Sequence, residues 1–201
     1  MPSVLVCQHA PDFNASAVLA DGSIENSFRL SDRLKGKYGL IFFYPLDFTF
    51  VCPTELVALD NRMAEFQQRN VEVIAISIVS VYTHSAWRNT PISMGGIGPV
   101  KYTMVADIKH DIARAYGVEN EGGVALRGAF IIDTQAKVRS QQINDLPIGR
   151  NIDELIRIVD ALQFHEVNGD VCPANWKKGS KGMLASQEGV ANFLSENATE
   201  L

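Results

Sequence analysis

Two near-continuous apolar runs, Leu40–Tyr44 and Val71–Ile78, dominate the hydropathy of the chain. Short apolar runs bounded by polar residues read as strands buried on both faces. Between them Leu56, Leu59, Met63 and Phe66 recur at spacings of three, four and three. That is the stripe of an amphipathic helix, here running to about Arg69. A buried strand, a helix and a second buried strand predict a βαβ unit with parallel strands and a right-handed crossover.

The pattern on either side is less continuous. Residues 1–14 read as a lead-in. Ala17–Ala20 and Ile24–Leu30 flank Asp21-Gly22, a hairpin signal, and Ser31–Gly36 as a short helical or turn segment. Thr83–Asn89 reads as a helix broken before Pro91, Tyr102–Ala106 as a short strand, and Ile108–Tyr116 as a helix ended by Gly117. Gly128–Asp133 and Lys137–Gln142 form a second hairpin around Thr134–Ala136. The glycine-rich residues 90–102 lack the glycine spacing of a dinucleotide fingerprint and follow no strand, so they read as loop. Asn151 with Glu154 three residues on is a capping box. It opens a last long helix whose buried face is Ile152, Leu155, Ile156, Val159 and Leu162. Past His165 the composition turns to Asn, Gly, Lys and Ser. The expected organisation is a domain over residues 1–165 and a C-terminal arm over 166–201, the arm with little structure beyond one short helix at Gln187–Ser195.

Composition narrows the class. Hydrophobic residues make up 46% of the 201 and charged residues 20%, which suits one globular domain with a sizeable core. A net charge of −5 and the lack of a Lys/Arg block argue against nucleic acid as a partner. No apolar run nears the roughly 18 residues that span a bilayer. The N-terminus lacks a basic stretch followed by a long apolar core, so no signal peptide is expected and a cytosolic location is.

The cysteines change the picture more. Cys7, Cys52 and Cys172 make an odd count, unlike a secreted disulfide framework. Glu55 stands where a C-x-x-C would place its second thiol, and the four histidines show no ligand spacing. No metal site is expected, and no cofactor. Cys7, in Val-Leu-Val-Cys, reads as a packed, non-catalytic thiol.

Cys52 precedes Pro53, a residue favoured at the first helical position, and so belongs at a helix N-terminus. Unpaired N–H groups and the helix dipole there favour negative charge, and a thiol in such a place loses its proton more readily. The thiolate is the nucleophile; an unperturbed thiol is only a few per cent ionised at pH 7. The plain alternative is an inert cysteine packed as a small hydrophobe.

Pro45, Thr49 and Cys52 form Pro-x-x-x-Thr-x-x-Cys within Phe48-Thr49-Phe50-Val51-Cys52-Pro53-Thr54-Glu55. This run resembles the active-site signature of peroxiredoxins of the typical two-cysteine subgroup. Val-Cys-Pro-Ala-x-Trp around Cys172 resembles that subgroup's resolving-cysteine segment, Arg127 in Leu-Arg-Gly-Ala-Phe its active-site arginine, and Arg150 in Pro-Ile-Gly-Arg-Asn a second arginine near the site. The resemblance covers roughly residues 4–180. It implies a thioredoxin-like α/β/α sandwich with an N-terminal hairpin extension.

It also implies chemistry. Cys52 would attack hydrogen peroxide or an alkyl hydroperoxide and become a sulfenic acid, which condenses with a second thiol to a disulfide. That thiol would be Cys172, from the other chain of a homodimer; the alternative for Cys172 is an exposed thiol on a tail. Arg127 would hold positive charge beside Cys52, Thr49 would hydrogen-bond thiolate and peroxide, and Pro45 would shield the pocket. Glu55 would orient the arginines; the alternatives are a plain helix-start carboxylate for Glu55 and a solvated charge for Arg150. A dithiol protein, thioredoxin or a flavoprotein, would reduce the disulfide, and five dimers would form a ring.

Gly95-Gly96-Ile97-Gly98 nearly matches the Gly-Gly-Leu-Gly loop of members that over-oxidise easily, whereas Asn192-Phe193 stands in place of their Tyr-Phe. Intermediate sensitivity is the expectation. Two other classes compete: a holdase chaperone, which would survive Cys52→Ser, and a disulfide oxidoreductase without peroxide preference, which the missing C-x-x-C disfavours.

Overall fold

The two apolar runs form neighbouring strands at the centre of one sheet. The computed structural model describes residues 4–199 and 201. The chain divides into two compact units, Met1–Ile152 and Asp153–Leu201.

The first unit holds β1 (Asn14–Val18), β2 (Ile24–Arg29), β3 (Tyr38–Phe43), β4 (Val71–Ser77), β5 (Thr103–Ala106), β6 (Arg127–Ile132) and β7 (Val138–Asn144). They form a single sheet in the order β2-β1-β5-β4-β3-β6-β7. β3, β4 and β5 run parallel, and the flanking pairs are antiparallel. β3 and β4 are buried on both faces, which is why they read as unbroken apolar runs. The predicted Asp21-Gly22 hairpin is β1–β2, and it extends the sheet at one edge because β1 pairs with β5.

The helices of this unit are α1 (Leu30–Arg33), α2 (Val51–Asn61), α3 (Met63–Gln68), α4 (Val81–Asn89) and α5 (Asp111–Ala115). The single helix expected up to Arg69 is two. At Arg62 (φ −108°, ψ 7°) the backbone leaves helical geometry, and its N–H donates to Leu59 O, three residues back, instead of four. Phe43, Tyr116 and Phe130 pack ring to ring at 5.0–5.9 Å in a core that also takes in Ile41, Ile74 and Val105.

The lead-in is tied down: Cys7 N–H donates to Val138 O and Ala10 N–H to Ala136 O, each at 2.8 Å. The packed thiol expected at Cys7 is not found. Cys7 is exposed because the chain turns there through a left-handed conformation (φ 69°), and Leu5 occupies the core in its place.

The second unit contains α6 (Ile152–Asn168) and α7 (Gln187–Asn197). Its arm is more ordered than the sequence suggests. Trp176 is 3% exposed and packs on Phe164 at 4.9 Å. Its indole N–H donates to Ser180 O, while Arg157 donates to the Trp176 carbonyl at 3.1 Å. Val171 and Met183 form a bridge. Gly182 allows the close return, since a Cβ there would lie 2.6 Å from Asp170 Cβ and 2.7 Å from Phe164. Glu154 holds Arg157 through both carboxylate oxygens.

Candidate active site

β3 delivers the chain to Tyr44, a loop runs from Pro45 to Phe50, and α2 begins at Val51. Cys52 therefore lies in the first turn of a helix, the end whose unpaired N–H groups and dipole favour negative charge. Pro53 is the third helical residue, not the first, and still costs nothing because first-turn N–H groups have no partner in the helix. Glu55 follows Cys52 by three residues, so the two share a helix face. Cys52 is 1% exposed.

Two arginines meet this face. β6 pairs antiparallel with β3, and Ala129 lies opposite Phe42. Arg127, two residues earlier on β6, thus lies at the C-terminal end of β3, beside the start of α2. Its Nη1 lies 3.5 Å from Cys52 Sγ and 2.7 Å from Glu55 Oε2, and its Nε donates to Leu146 O at 2.6 Å. Arg150 reaches the same carboxylate from just before α6. It donates from its backbone N–H (2.8 Å) and Nε (2.9 Å) to Glu55 Oε1, and from Nη2 (3.0 Å) to Oε2. Its Nη1 donates to Gly128 O at 2.6 Å. Its guanidinium also lies 3.3 Å from the Phe42 ring centroid, a cation–π contact.

Glu55, Arg127 and Arg150 side chains are 2%, 4% and 0% exposed. Burial alone would raise the Glu55 carboxyl pKa; hydrogen bonds and charge from Arg150, then the charge of Arg127, outweigh it and hold the group below the usual carboxylate range. Two guanidiniums face one carboxylate, so the cluster carries one unit of positive charge that no carboxylate among the described residues balances, and it adjoins the Cys52 sulfur.

The structure thus brings together Cys52, Glu55, Arg127 and Arg150. Glu55 and Arg150 are neither a plain helix-start carboxylate nor a solvated charge. Pro45 is buried in the adjoining loop. Thr49 lies on that loop, and its hydroxyl donates to Leu46 O at 3.0 Å. Cys172 belongs to the second unit and is partly buried, so it is no exposed tail thiol. Its Sγ donates to Ala161 O at 3.4 Å. Burial pushes this thiol above its usual range, and the nearby charge of Arg157 opposes that only in part. Phe42 as a seat for Arg150 has no signal in the sequence, where it is one more residue of a buried strand. Among the described residues no group of three or more His, Cys, Asp or Glu is placed to hold a metal ion, and no helix is long and apolar enough to cross a membrane.

A model of the AhpC/TSA family matches residues 6–141, a stretch that holds the whole cluster up to Arg127. The chain belongs to the AhpC/TSA family. A second model, the C-terminal domain of 1-Cys peroxiredoxin, matches residues 161–196. Alkyl hydroperoxide reductase C of Helicobacter pylori (strain ATCC 700392 / 26695) is 52% identical over 198 residues, covering 98% of this chain and all of that one. Peroxiredoxin-1 of Gallus gallus is 52% identical over 188 residues, covering 93% of this chain and 94% of that one. The reduced 2-Cys peroxiredoxin of Plasmodium vivax superposes with a TM-score of 0.93 at 47% identity, over 96% of this chain and 99% of that one. This AhpC/TSA member accordingly has the thioredoxin-like mixed α/β fold.

Proposed function

We propose that this protein is a thiol-dependent peroxidase acting on hydrogen peroxide and alkyl hydroperoxides, with Cys52 as nucleophile and Cys172 as the thiol that resolves its oxidised form. The observation that carries the reading is the uncompensated positive charge of the Arg127–Glu55–Arg150 cluster, with Arg127 Nη1 at 3.5 Å from Cys52 Sγ on a helix's first turn. A thiolate at Cys52 brings the cluster to neutrality. The same donors suit the leaving oxygen, on which negative charge grows as the O–O bond breaks.

The thiolate attacks one peroxide oxygen, the O–O bond breaks, and its electron pair leaves on the second oxygen, which takes a proton to become water or an alcohol. Cys52 is now a sulfenic acid. Arg127 steadies charge on sulfur and leaving oxygen, Glu55 fixes both guanidiniums, and Thr49 and Pro45 shape the pocket from the preceding loop. The Cys172 thiol loses its proton, its thiolate attacks the Cys52 sulfur, the S–O bond breaks, and the departing hydroxide takes up a proton to leave as water, giving a disulfide. A sulfur as enclosed as Cys52 meets a second sulfur within about 2 Å only if the first turn of α2 opens. A dithiol protein, thioredoxin or a flavoprotein-linked carrier, restores both thiols. No resident cofactor is required.

The reading includes a disulfide between the two chains of a homodimer, a ring of five dimers, residues 166–201 as the arm that carries the resolving thiol, and a reducing cytosol as the setting. Phe50 is 92% exposed and Tyr82 76%, which supports burial of this region by a further copy. The test is a non-reducing gel of reduced protein given one equivalent of hydrogen peroxide. A shift to a covalent dimer that both Cys52→Ser and Cys172→Ser abolish is expected. Failure of peroxide to oxidise Cys52, read by mass spectrometry, would sink the proposal.

The raised Cys172 pKa gives a pH dependence. Its thiolate is the minor form near neutrality, so its fraction grows about tenfold per pH unit below the pKa. Disulfide formation after a single peroxide pulse is therefore expected to accelerate close to tenfold from pH 6 to pH 7, with the sulfenic acid longest-lived at low pH. Stopped-flow fluorescence would read it, and a rate flat between pH 6 and 8 would refute it.

A further inference from the structure

Asp47 interrupts the apolar run Tyr-Pro-Leu-Asp-Phe, yet its side chain is only 1% exposed, and the His84 side chain facing it is 0% exposed. Asp47 lies on the loop between β3 and α2; His84 lies on α4. Asp47 Oδ1 accepts from the Tyr44 hydroxyl at 2.7 Å, and Oδ2 lies 2.8 Å from His84 Nδ1. The Tyr44 hydroxyl is also 3.2 Å from Nδ1. On the far side of the ring, His84 Nε2 lies 3.2 Å from Val105 O. A carbonyl only accepts, so Nε2 carries a hydrogen. The Nδ1–Oδ2 contact is the shortest that the His84 ring makes. Both Asp47 carboxylate oxygens and both His84 ring nitrogens are thus engaged in one buried network.

The next residue is held by the same helix. Phe48 adopts a left-handed backbone (φ 53°), which a bulky residue holds only when its surroundings impose it. Its ring packs at 5.8 Å on Trp87, three residues after His84 on α4. Two consecutive loop residues are thus clipped to one helix, and Thr49 comes next.

We infer that Asp47 and His84 are positioning residues for the peroxidase reaction: through their buried 2.8 Å contact, and with Phe48 on Trp87, they set the Pro45–Phe50 loop and so place Thr49 for the peroxide. This rests on the peroxidase reading above. Neither side chain touches the reacting atoms. Their effect falls on how peroxide is held more than on the nucleophilicity of Cys52, and misplacement of a positioning group by about 1 Å costs up to 100-fold.

The experiment compares two reactions of the same cysteine. One is the second-order rate with hydrogen peroxide; the other is alkylation of Cys52 by iodoacetamide, followed by mass spectrometry of its peptide. Asp47→Ala and His84→Ala are expected to slow the peroxide reaction at least tenfold and alkylation less than threefold. Asp47→Asn is the rescue: its amide N–H can donate to a neutral Nδ1 while its oxygen still accepts from Tyr44. It should stay within threefold of wild type in both reactions. Where the alanine variants do not fold, Phe48→Ala, which removes a half-exposed ring, carries the same split. An unchanged peroxide rate in the folded variants, or equal losses in both reactions, overturns the inference. A wild-type Cys52 that peroxide does not oxidise instead overturns the reading beneath it.

Discussion

Arg127→Ala is expected to slow the reaction of Cys52 with hydrogen peroxide by about 10²–10³-fold, the cost typical of deleting one preorganised donor to developing negative charge. Arg127 is the cluster donor within hydrogen-bonding reach of the sulfur, 3.5 Å from Sγ. It is held on two other sides, by Leu146 O through Nε and by Glu55 through Nη1, so its charge is fixed before peroxide arrives. The alanine variant should still fold, because Glu55 keeps the hydrogen bonds of Arg150 and one buried cation then faces one buried anion. Arg127→Lys should recover little. A single ammonium cannot reach Leu146 O, Glu55 and the sulfur at once, as the planar fork does. Stopped-flow kinetics at pH 7 would measure the loss. A rate within threefold of wild type, in a variant with an unchanged melting profile, would remove Arg127 from the reaction.

How far the sequence discloses this site depends on the kind of signal each part leaves. β3, β4 and the stripe on α2–α3 announce themselves because burial on both faces, or on one helical face, imposes a period. The position of Cys52 follows from the same pattern. Glu55 and Arg150 can be found by their resemblance to a known motif, but nothing local separates them from ordinary helix-start charges. Their meaning lies in a contact 95 residues long in sequence, which only the antiparallel pairing of β6 with β3 and the return before α6 create. Asp47 and His84 are harder still. A carboxylate in an apolar run is a visible anomaly, but its partner lies 37 residues away on another helix. Cys7 fails differently: an apolar neighbourhood in sequence predicts burial, and one left-handed residue turns the side chain out.

The same charge count makes Glu55 costly for the fold to lose. Removing it leaves two buried guanidiniums, 4% and 0% exposed, with carbonyl oxygens and the Cys52 sulfur as their remaining acceptors and no carboxylate between them. Breaking a buried ion pair from one side costs about 3–5 kcal/mol, a large share of the roughly 5–15 kcal/mol that holds a native protein together. Glu55→Ala is therefore expected to lower the thermal midpoint by about 10 °C or more, well beyond the effect of Arg127→Ala. Glu55→Gln should lie between them, since its one carbonyl oxygen can still accept from Arg150. The pH dependence separates charge from shape. The folded-state pKa of Glu55 is depressed, so its stabilising contribution is fully present above the unfolded value of about 4.3 and disappears as pH falls through the folded value. Denaturation curves of wild type and Glu55→Gln should keep a constant gap from pH 5 to pH 8 and converge below about pH 4. A gap that stays open at low pH would mean that packing of the longer acid, and not its charge, holds Arg127 and Arg150 in place.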